Sequence, residues 1–335
     1  MIDNEEGAVA DPLVSICIPA YNSASFIEKT LNSISSQSYR NLEILVGDNC
    51  STDSTGEIIE RLRQSDSRIV HVRHQSNLGY VGNLNRLLEL SRGEYVAFYH
   101  SDDVYEPSIV QREVQVLTTN PEVMGVFAKA KNFNHDSDVG RPLKQRFLES
   151  PLLKKGEGYV WGGLSSFLPL LLEHGNVFVC PSFMARRRSF DRTGLWCDSY
   201  QGVEDVNLWL KFLRHELPLA IITDCLINYR IHDASGSASL SSRAVGFLKE
   251  MQFKLLDDFL RDHAPALPAR QLRRYQKRKS KEYLKIARSY QDANQYGRYL
   301  EYVQRSRDAY AFPFYTKRML MQRFPQLYFK LTRSP

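Results

Sequence analysis

The sequence predicts an α/β fold in which a mostly parallel sheet is flanked by helices and followed by a C-terminal helical region. Three observations predict it. Short apolar runs alternate with amphipathic helical segments over residues 14–99, which is the pattern of βαβ units. Polar clusters follow these runs, at the strand ends where open parallel sheets bind ligands. From residue 243 onward, apolar residues recur at helical spacing.

The first half contains four predicted strands separated by three predicted helices. The first strand is stopped by Pro19, and Ser25 is placed to cap the helix that follows. Each later strand is a short apolar run, and each later helix has one apolar side. In order, the elements are strand 14–18, helix 25–34, strand 42–46, helix 54–64, strand 68–72, helix 81–90 and strand 95–99.

The second half is less regular. Pro107 can open a helix, and the polar stretch 132–158 is predicted to be a loop. Gly297 is expected to separate two helices of the C-terminal region. The other predicted elements are strand 123–128, helix 164–172, helix 204–213, strand 220–229 and a mobile Ser-rich loop 233–242. The chain is predicted to divide into an N-terminal tail (1–11), an α/β domain (12–242, with halves 12–104 and 105–242) and a basic helical region (243–335).

Charge is distributed unevenly along the chain. Residues 271–335 hold 16 Lys/Arg against 4 Asp/Glu, a surplus of +12, while the whole chain carries +6 and the remainder therefore −6. Any attraction to an anionic surface is expected in this basic region. The five cysteines are scattered along the chain and form no C-x-x-C pair, so a disulfide framework and a zinc site are both disfavoured. An acidic N-terminus and the lack of an apolar run of about 20 residues predict a cytoplasmic protein.

Two adjacent carboxylates, Asp102 and Asp103, follow the apolar run 95–99. Burying two anions together is unfavourable unless a cation joins them, and no basic residue stands beside them in sequence. The favoured interpretation is a divalent metal with oxygen ligands, shared with a phosphorylated substrate. The alternative is that the pair caps the helix opened by Pro107.

The segments that follow the strands resemble, in order, the motifs of family-2 glycosyltransferases. The matching strings are Val-Ser-Ile-Cys-Ile-Pro-Ala-Tyr-Asn at 14–22, Asp-Asn-Cys-Ser-Thr-Asp at 48–53, Asn-Leu-Gly at 77–79, Arg-Gly-Glu-Tyr at 92–95, Ser-Asp-Asp at 101–103, Glu204-Asp205 and His232. The resemblance covers about residues 12–240. It implies a Rossmann-like fold of the A type (GT-A), with a nucleotide-binding half before an acceptor half. It also implies a nucleotide-sugar donor, most often a UDP- or dTDP-sugar.

The resemblance places the donor site at the strand ends. Asp48 would accept a hydrogen bond from the imide N–H of uracil or thymine, although the composition of 48–53 also suits a turn. Asp102 would contact ribose or a metal-bound water. Many relatives carry Arg-Asn where this chain has Leu84-Asn85, so a phosphate contact from position 84 is not expected, and Arg86 is the alternative for that contact. The predicted donor-binding residues are Pro19, Tyr21, Asn22, Asp48, Asn77, Gly79, Asn85 and Asp102.

The resemblance also implies a metal, a base and an acceptor site. Asp103 and His232 would hold Mn²⁺ or Mg²⁺, with a solvated loop histidine as the alternative for His232. Asp205 would be the general base, although a carboxylate there could instead stabilise the N-terminus of its helix. Glu204 would contact the acceptor. Separately from the resemblance, Trp196 lies shortly before this pair in the sequence and is the candidate ring for stacking on an acceptor sugar.

The expected activity is metal-dependent, inverting transfer of a sugar to a glycan or lipid-linked acceptor in surface polysaccharide assembly. The basic region suits either the inner face of an anionic membrane or a packed helical subdomain with a solvated Lys/Arg face. A dinucleotide-dependent oxidoreductase is disfavoured because no G-x-G-x-x-G turn follows the first strand. The remaining alternative is a noncatalytic nucleotide- or nucleic-acid-binding protein, although no nucleic-acid motif is present and no nucleic-acid partner is expected.

Overall fold

The computed structural model describes residues 11–134, 137–142, 145–232, 245–263, 266–311 and 317–331. Its strands are β1 Val14–Ala20, β2 Leu42–Asp48, β3 Ile69–Arg73, β4 Tyr95–Phe98, β5 Val104–Tyr105, β6 Gly125–Asn134, β7 Ser137–Pro142, β8 Lys154–Gly156, β9 Tyr159–Gly162, β10 Phe183–Arg186 and β11 Leu219–Arg230. They form one sheet in the order β3-β2-β1-β4-β10-β6-β11-β9-β8, and β5 and β7 pair with β11 and β6.

The N-terminal half of the sheet is parallel, as the sequence predicts. β1 pairs in parallel with β2 and β4, and β2 pairs in parallel with β3. β2 is buried along its whole length, because helices cover both faces of such sheets, and this explains its continuous apolar sequence. β10 is antiparallel to β4 and β6, so the complete sheet is mixed.

The prediction of a loop over residues 132–158 is wrong. β6 continues to Asn134, and β7 and β8 lie within the same range, each antiparallel to its neighbour. Both strands are short and polar, and their partners β6 and β9 determine their pairing. A hydrophobic pattern therefore could not reveal them. The Ser-rich segment 233–242 lies outside the described residues.

Helices fill the connections between strands and most of the C-terminal region. Those of the described residues are α1 Ile27–Ser35, α2 Thr55–Ser65, α3 Gly79–Leu90, α4 Ile109–Thr119, α5 Leu164–His174, α6 Phe190–Thr193, α7 Glu204–Arg214, α8 Phe247–His263, α9 Ala269–Asp292, α10 Tyr296–Ala309, α11 Lys317–Arg323 and α12 Pro325–Leu331. None of these helices combines the length and the apolar character that a bilayer-crossing segment requires.

The chain forms two compact units, one of which contains the sheet. The first unit comprises Met1–Ser166, Phe178–Asp198 and Leu208–Ile231, and the second comprises Phe167–Val177, Ser199–Asn207 and His232–Pro335. In the second unit, the rings of Tyr283 and Tyr290 on α9 pack against Tyr302 on α10, with centroids 6.1 and 5.4 Å away. The break between these helices falls at Asn294, whose φ is +62°, rather than at the predicted Gly297. Asparagine tolerates this left-handed conformation better than most residues do.

Candidate functional site

The polar segments that follow β1, β2, β3 and β4 are joined at the carboxyl edge of the sheet. The Asn49 side chain donates from Nδ2 to Asn77 Oδ1 at 3.0 Å and accepts at Oδ1 from the N–H of Leu78 at 2.8 Å. The hydroxyls of Ser23 and Ser101 lie 2.9 Å apart and connect the first segment to the fourth. These hydrogen bonds hold the four polar segments together at one edge of the sheet.

The residues expected to flank the nucleoside differ in what they contact. Asn22 has a φ of +48°, and its Oδ1 accepts a hydrogen bond from the N–H of Thr52 at 2.8 Å, so this side chain builds the loop. Tyr21 is 50% exposed and is accessible to a ligand. Gly79 has a φ of +74°, so a residue with a Cβ would strain this turn. Pro19 lies within β1.

Asp48 ends β2 with one carboxylate oxygen in a turn and the other without a hydrogen bond. Oδ1 accepts from the N–H of Ser51 at 2.9 Å, which is the turn interaction that the composition suggests. Oδ2 has no hydrogen-bond partner among the described residues, although Asp48 is only 1% exposed. His71 Nε2 lies 3.7 Å and Arg73 Nε 3.9 Å from this oxygen, and a Cβ on Gly56 would lie 3.0 Å from it. One oxygen of the Asp48 carboxylate therefore stabilises the turn, and the other is available to accept a hydrogen bond from a ligand.

Asn85 and Trp196 are joined by two hydrogen bonds. The Asn85 amide donates to the carbonyl of Trp196 at 3.0 Å and accepts from its N–H at 2.9 Å. The Trp196 ring is 3% exposed and packs edge-to-face on Phe98 and Trp209, with centroids 5.3 and 5.8 Å away. The surface predicted for sugar stacking is thus covered by protein, and the Asn85 amide positions this aromatic cluster.

Asp102, Asp103 and His100 form a compact cluster just after β4. One potential ligand atom from each lies within 4.8 Å of the other two. Asp103 is 0% exposed, and its Oδ2 has no hydrogen-bond partner among the described residues. Burial and the Asp102 charge raise the pKa of Asp103 well above its usual range. Burial lowers the pKa of His100, which favours the neutral imidazole that metals bind.

Arg230, at the end of β11, is hydrogen-bonded to both aspartates of this cluster. Its backbone N–H donates to Asp103 Oδ1 at 2.8 Å, and its Nε donates to the carbonyl of Asp102 at 2.8 Å. Tyr80 Oη lies 3.1 Å from His100 Nε2. The sequence places Arg230 more than 120 residues from the pair, so only the fold reveals this cation.

The donor set fits a divalent cation. A buried carboxylate oxygen without a partner sits beside a second carboxylate and an imidazole, and such oxygen-rich sets suit Mg²⁺ and Mn²⁺. Asp103 stays the predicted ligand, and His100 is a further candidate ligand that the sequence did not reveal. His232 is half-buried and belongs to the second unit, so its role at a metal stays a prediction.

Asp205, in the first turn of α7, has both carboxylate oxygens positioned within the second unit. Oδ1 accepts from the N–H of Val206 at 2.7 Å, and Oδ2 accepts from Asn176 Nδ2 at 2.8 Å. Burial raises the pKa of Asp205 to about 6, and the charge of the adjacent Glu204 also raises it. A carboxylate with a pKa near neutrality is a stronger base and still largely ionised at pH 7. Asn176 was not identifiable from the sequence, because it follows an apolar helix without a motif.

A mixed sheet with an acidic cluster at the carboxyl end of its central strands is the architecture of A-type glycosyltransferases. The family model for glycosyl transferase family 2 matches residues 15–195, which is more than half of the chain. The chain therefore belongs to glycosyl transferase family 2 and is a glycosyltransferase.

Curated relatives and solved structures agree with this family. An uncharacterized glycosyltransferase of Haemophilus influenzae is 28% identical over 224 residues, or 66% of each chain. The UDP-Glc:alpha-D-GlcNAc-diphosphoundecaprenol beta-1,3-glucosyltransferase WfaP of Escherichia coli is 29% identical over 229 residues, which are 68% of this chain and 80% of WfaP. The crystal structure of S. aureus TarS 1–349 in complex with UDP-GlcNAc has a TM-score of 0.58 at 17% identity, covering 90% of this chain and 93% of that one. This last similarity supports the GT-A fold.

Proposed function

We propose that this glycosyltransferase moves a sugar from a UDP- or dTDP-sugar to a hydroxyl of a glycan or lipid-linked acceptor, with inversion and with Mn²⁺ or Mg²⁺. The observation that carries this proposal is the buried Asp103 Oδ2 without a partner, beside Asp102 and His100 at the carboxyl edge of the sheet. We assign transfer to residues 12–242, with nucleotide binding in 12–104 and the acceptor in 105–242.

The available Asp48 Oδ2 supports a pyrimidine donor. The imide N–H of uracil or thymine would donate to this oxygen, and His71 and Arg73 stand within 4 Å of it as donors for the base carbonyls. Tyr21 is accessible on the neighbouring loop. The UDP-Glc in the name of WfaP and the UDP-GlcNAc bound to TarS favour uracil.

The acidic cluster and Asp205 have different roles in the proposed reaction. Asp103, Asp102 and His100 would hold a divalent cation, which would neutralise charge on the departing diphosphate. Asp205 takes the proton from the acceptor hydroxyl, which then attacks the anomeric carbon from the face opposite the leaving group. One base suffices for this in-line displacement, so no covalent intermediate is required. Glu204, next to Asp205, would contact the acceptor.

The acceptor and the location rest on the relatives and on charge. WfaP is named for a diphosphoundecaprenol acceptor, and this favours a lipid-linked glycan intermediate in surface polysaccharide assembly. An enzyme with such an acceptor works at a membrane, so we propose a cytoplasmic protein that is peripheral on the inner face. The basic residues after position 271 supply the attraction.

Thermal unfolding with a panel of nucleoside diphosphates tests the donor and metal assignments. A ligand at 100 times its Kd stabilises the folded state by about 2.7 kcal/mol. We expect UDP or dTDP to raise the Tm only with Mn²⁺ or Mg²⁺, and Asp103→Asn to abolish the metal-dependent part. Asp191→Asn, at an exposed position, is the control and should respond like the parent protein. A full metal-dependent shift in Asp103→Asn would contradict the metal site.

A further inference from the structure

One side of helix α9, Ala269–Asp292, is a continuous row of basic residues. At 100° per residue, six of them fall within an arc of about 80° and span about 27 Å of the helix axis. Five are exposed and Lys281 is half-buried. We call this set the cationic stripe, and its members are Arg270, Arg274, Lys277, Lys281, Lys285 and Arg288.

The cationic stripe is only partly neutralised by the protein. Arg274 pairs with Glu173 at 3.0 Å, and Lys285 pairs with Glu282 at 2.6 Å. The other four members form no ion pair with the described residues. Burial lowers the pKa of Lys281, and the charges of Arg318, Lys277 and Lys285 lower it further. A surface of this kind favours a partner with many phosphates.

Two apolar side chains, Leu320 and Phe324, are exposed on and just after helix α11, which contacts α9. Helix α11, Lys317–Arg323, is held to α9 by Gln322 Nε2, which donates to Ser280 Oγ at 3.2 Å. Leu320 on α11 is 47% exposed, and Phe324, one turn later, is 51% exposed. Arg318 and Arg323, on the same helix, are also exposed. Cationic and apolar side chains thus occupy neighbouring positions of the second unit.

We propose that the cationic stripe, Leu320 and Phe324 dock this protein on an anionic phospholipid surface. Lipid phosphates complement the stripe, and the acyl boundary just below them accepts the two apolar side chains. A nucleic acid would neutralise the stripe but would give Leu320 no apolar partner. The inference rests on the proposed function only in that a lipid-linked acceptor would be met at such a surface.

Vesicle sedimentation with the full chain tests this surface. We expect binding to vesicles of equal parts phosphatidylglycerol and phosphatidylcholine, and almost none to phosphatidylcholine alone. Arg270→Glu/Lys277→Glu/Arg288→Glu should lower the partition coefficient about 100-fold or more, since each well-placed cation contributes about 1 kcal/mol. Leu320→Ser/Phe324→Ser should lower the partition coefficient about tenfold. The binding that remains is then mainly electrostatic, so added salt should weaken it more than it weakens binding of the parent protein.

The matched control carries the same charge change on exposed residues of the first unit, Lys29→Glu/Arg40→Glu/Arg188→Glu. Its binding should stay within a few-fold of the parent protein. Equal losses in both triple variants, binding to neutral vesicles as strong as to anionic ones, or no binding at all would overturn the proposal. So would tighter binding to a short RNA duplex that Leu320→Ser/Phe324→Ser does not alter. The UDP-induced Tm shift, measured on the same preparations, reports separately on the proposed function and should be unchanged in every variant.

Discussion

The two compact units bring their functional residues together in different ways. In the first unit, the donor-side residues follow consecutive strands, and parallel pairing places Ala20 opposite Asp48 and Asp48 opposite Arg73. In the second unit, Asp205 meets Asn176, which lies 29 residues earlier in the chain, and both belong to short segments set among the C-terminal helices. A sheet edge therefore aligns its polar residues by register, whereas the second unit requires tertiary packing between distant segments.

Contacts within the second unit show how the C-terminal helices support the Asp205 region. Tyr200 Oη donates to Asp258 Oδ2 on α8 at 2.9 Å. Gly175 has a φ of +93°, and Arg278 Nη1 of α9 lies only 2.9 Å from where its Cβ would stand. Asn176 follows this turn directly. These helices thus hold the two segments that position the proposed base, besides carrying the cationic stripe.

The largest expected effect separates the catalytic roles of the two units. Asp205→Asn removes the proposed base and should lower kcat by 10²–10⁴-fold, the usual contribution of general acid–base catalysis. Donor affinity, which belongs to the first unit, should change little. Steady-state kinetics and UDP titration measure the two effects. If donor binding were lost while turnover at saturation stayed normal, Asp205 would be a donor-binding residue. The two units would then not have separate catalytic roles.

A smaller effect is expected from Asp48→Asn in the first unit. A hydrogen bond to a charged group contributes about 1.5–3 kcal/mol, so donor affinity should fall about 10- to 100-fold. The kcat at saturating donor should stay near the parent value. Calorimetric titration with UDP measures the loss, and Asp191→Asn, on the exposed side of α6, serves as the control. Unchanged affinity would leave Asp48 as a turn residue only.

The pH profile tests the electrostatics of the second unit. Asp205 must be ionised to accept a proton, so kcat/KM should fall as the pH decreases through about 6, the pKa that burial gives this carboxyl. The Asn176 hydrogen bond favours the carboxylate, and Asn176→Ala should therefore move this acidic limb to higher pH and cost a few-fold in rate at pH 7. Asn32→Ala, at an exposed position of α1, should leave the limb in place. An unmoved limb in Asn176→Ala would show that this contact does not tune the base.

Sequence patterns were sufficient for the parts of the molecule that local residues determine. The four parallel strands and the polar segments after them follow from apolar runs and turn residues. Short polar strands such as β7 and β8 were missed because their partners define them. His100, Asn176 and Arg230 were missed for a related reason, since each becomes part of a site only when its own segment packs beside another. The burial of Trp196 could not be predicted either, because a tryptophan near a site motif suits a core and a sugar platform equally well.

The smallest expected effect concerns the support of the Asp205 region by the C-terminal helices. Tyr200→Phe removes the hydroxyl that donates to Asp258, and the free energy of unfolding should fall by about 1.5 kcal/mol, the lower end of the range for a hydrogen bond to a charged group, because both side chains are only partly buried. Tyr296→Phe is the matched control, because its ring stacks on Tyr299 while its hydroxyl makes no hydrogen bond among the described residues. Urea unfolding measures both variants. If the helices hold the base through this contact, Tyr200→Phe should also lower kcat by a small factor while leaving UDP affinity unchanged. Equal stability and kcat in the two variants would mean that the segment carrying Asp205 is held by its other neighbours, and the helices would then serve this unit chiefly as a surface.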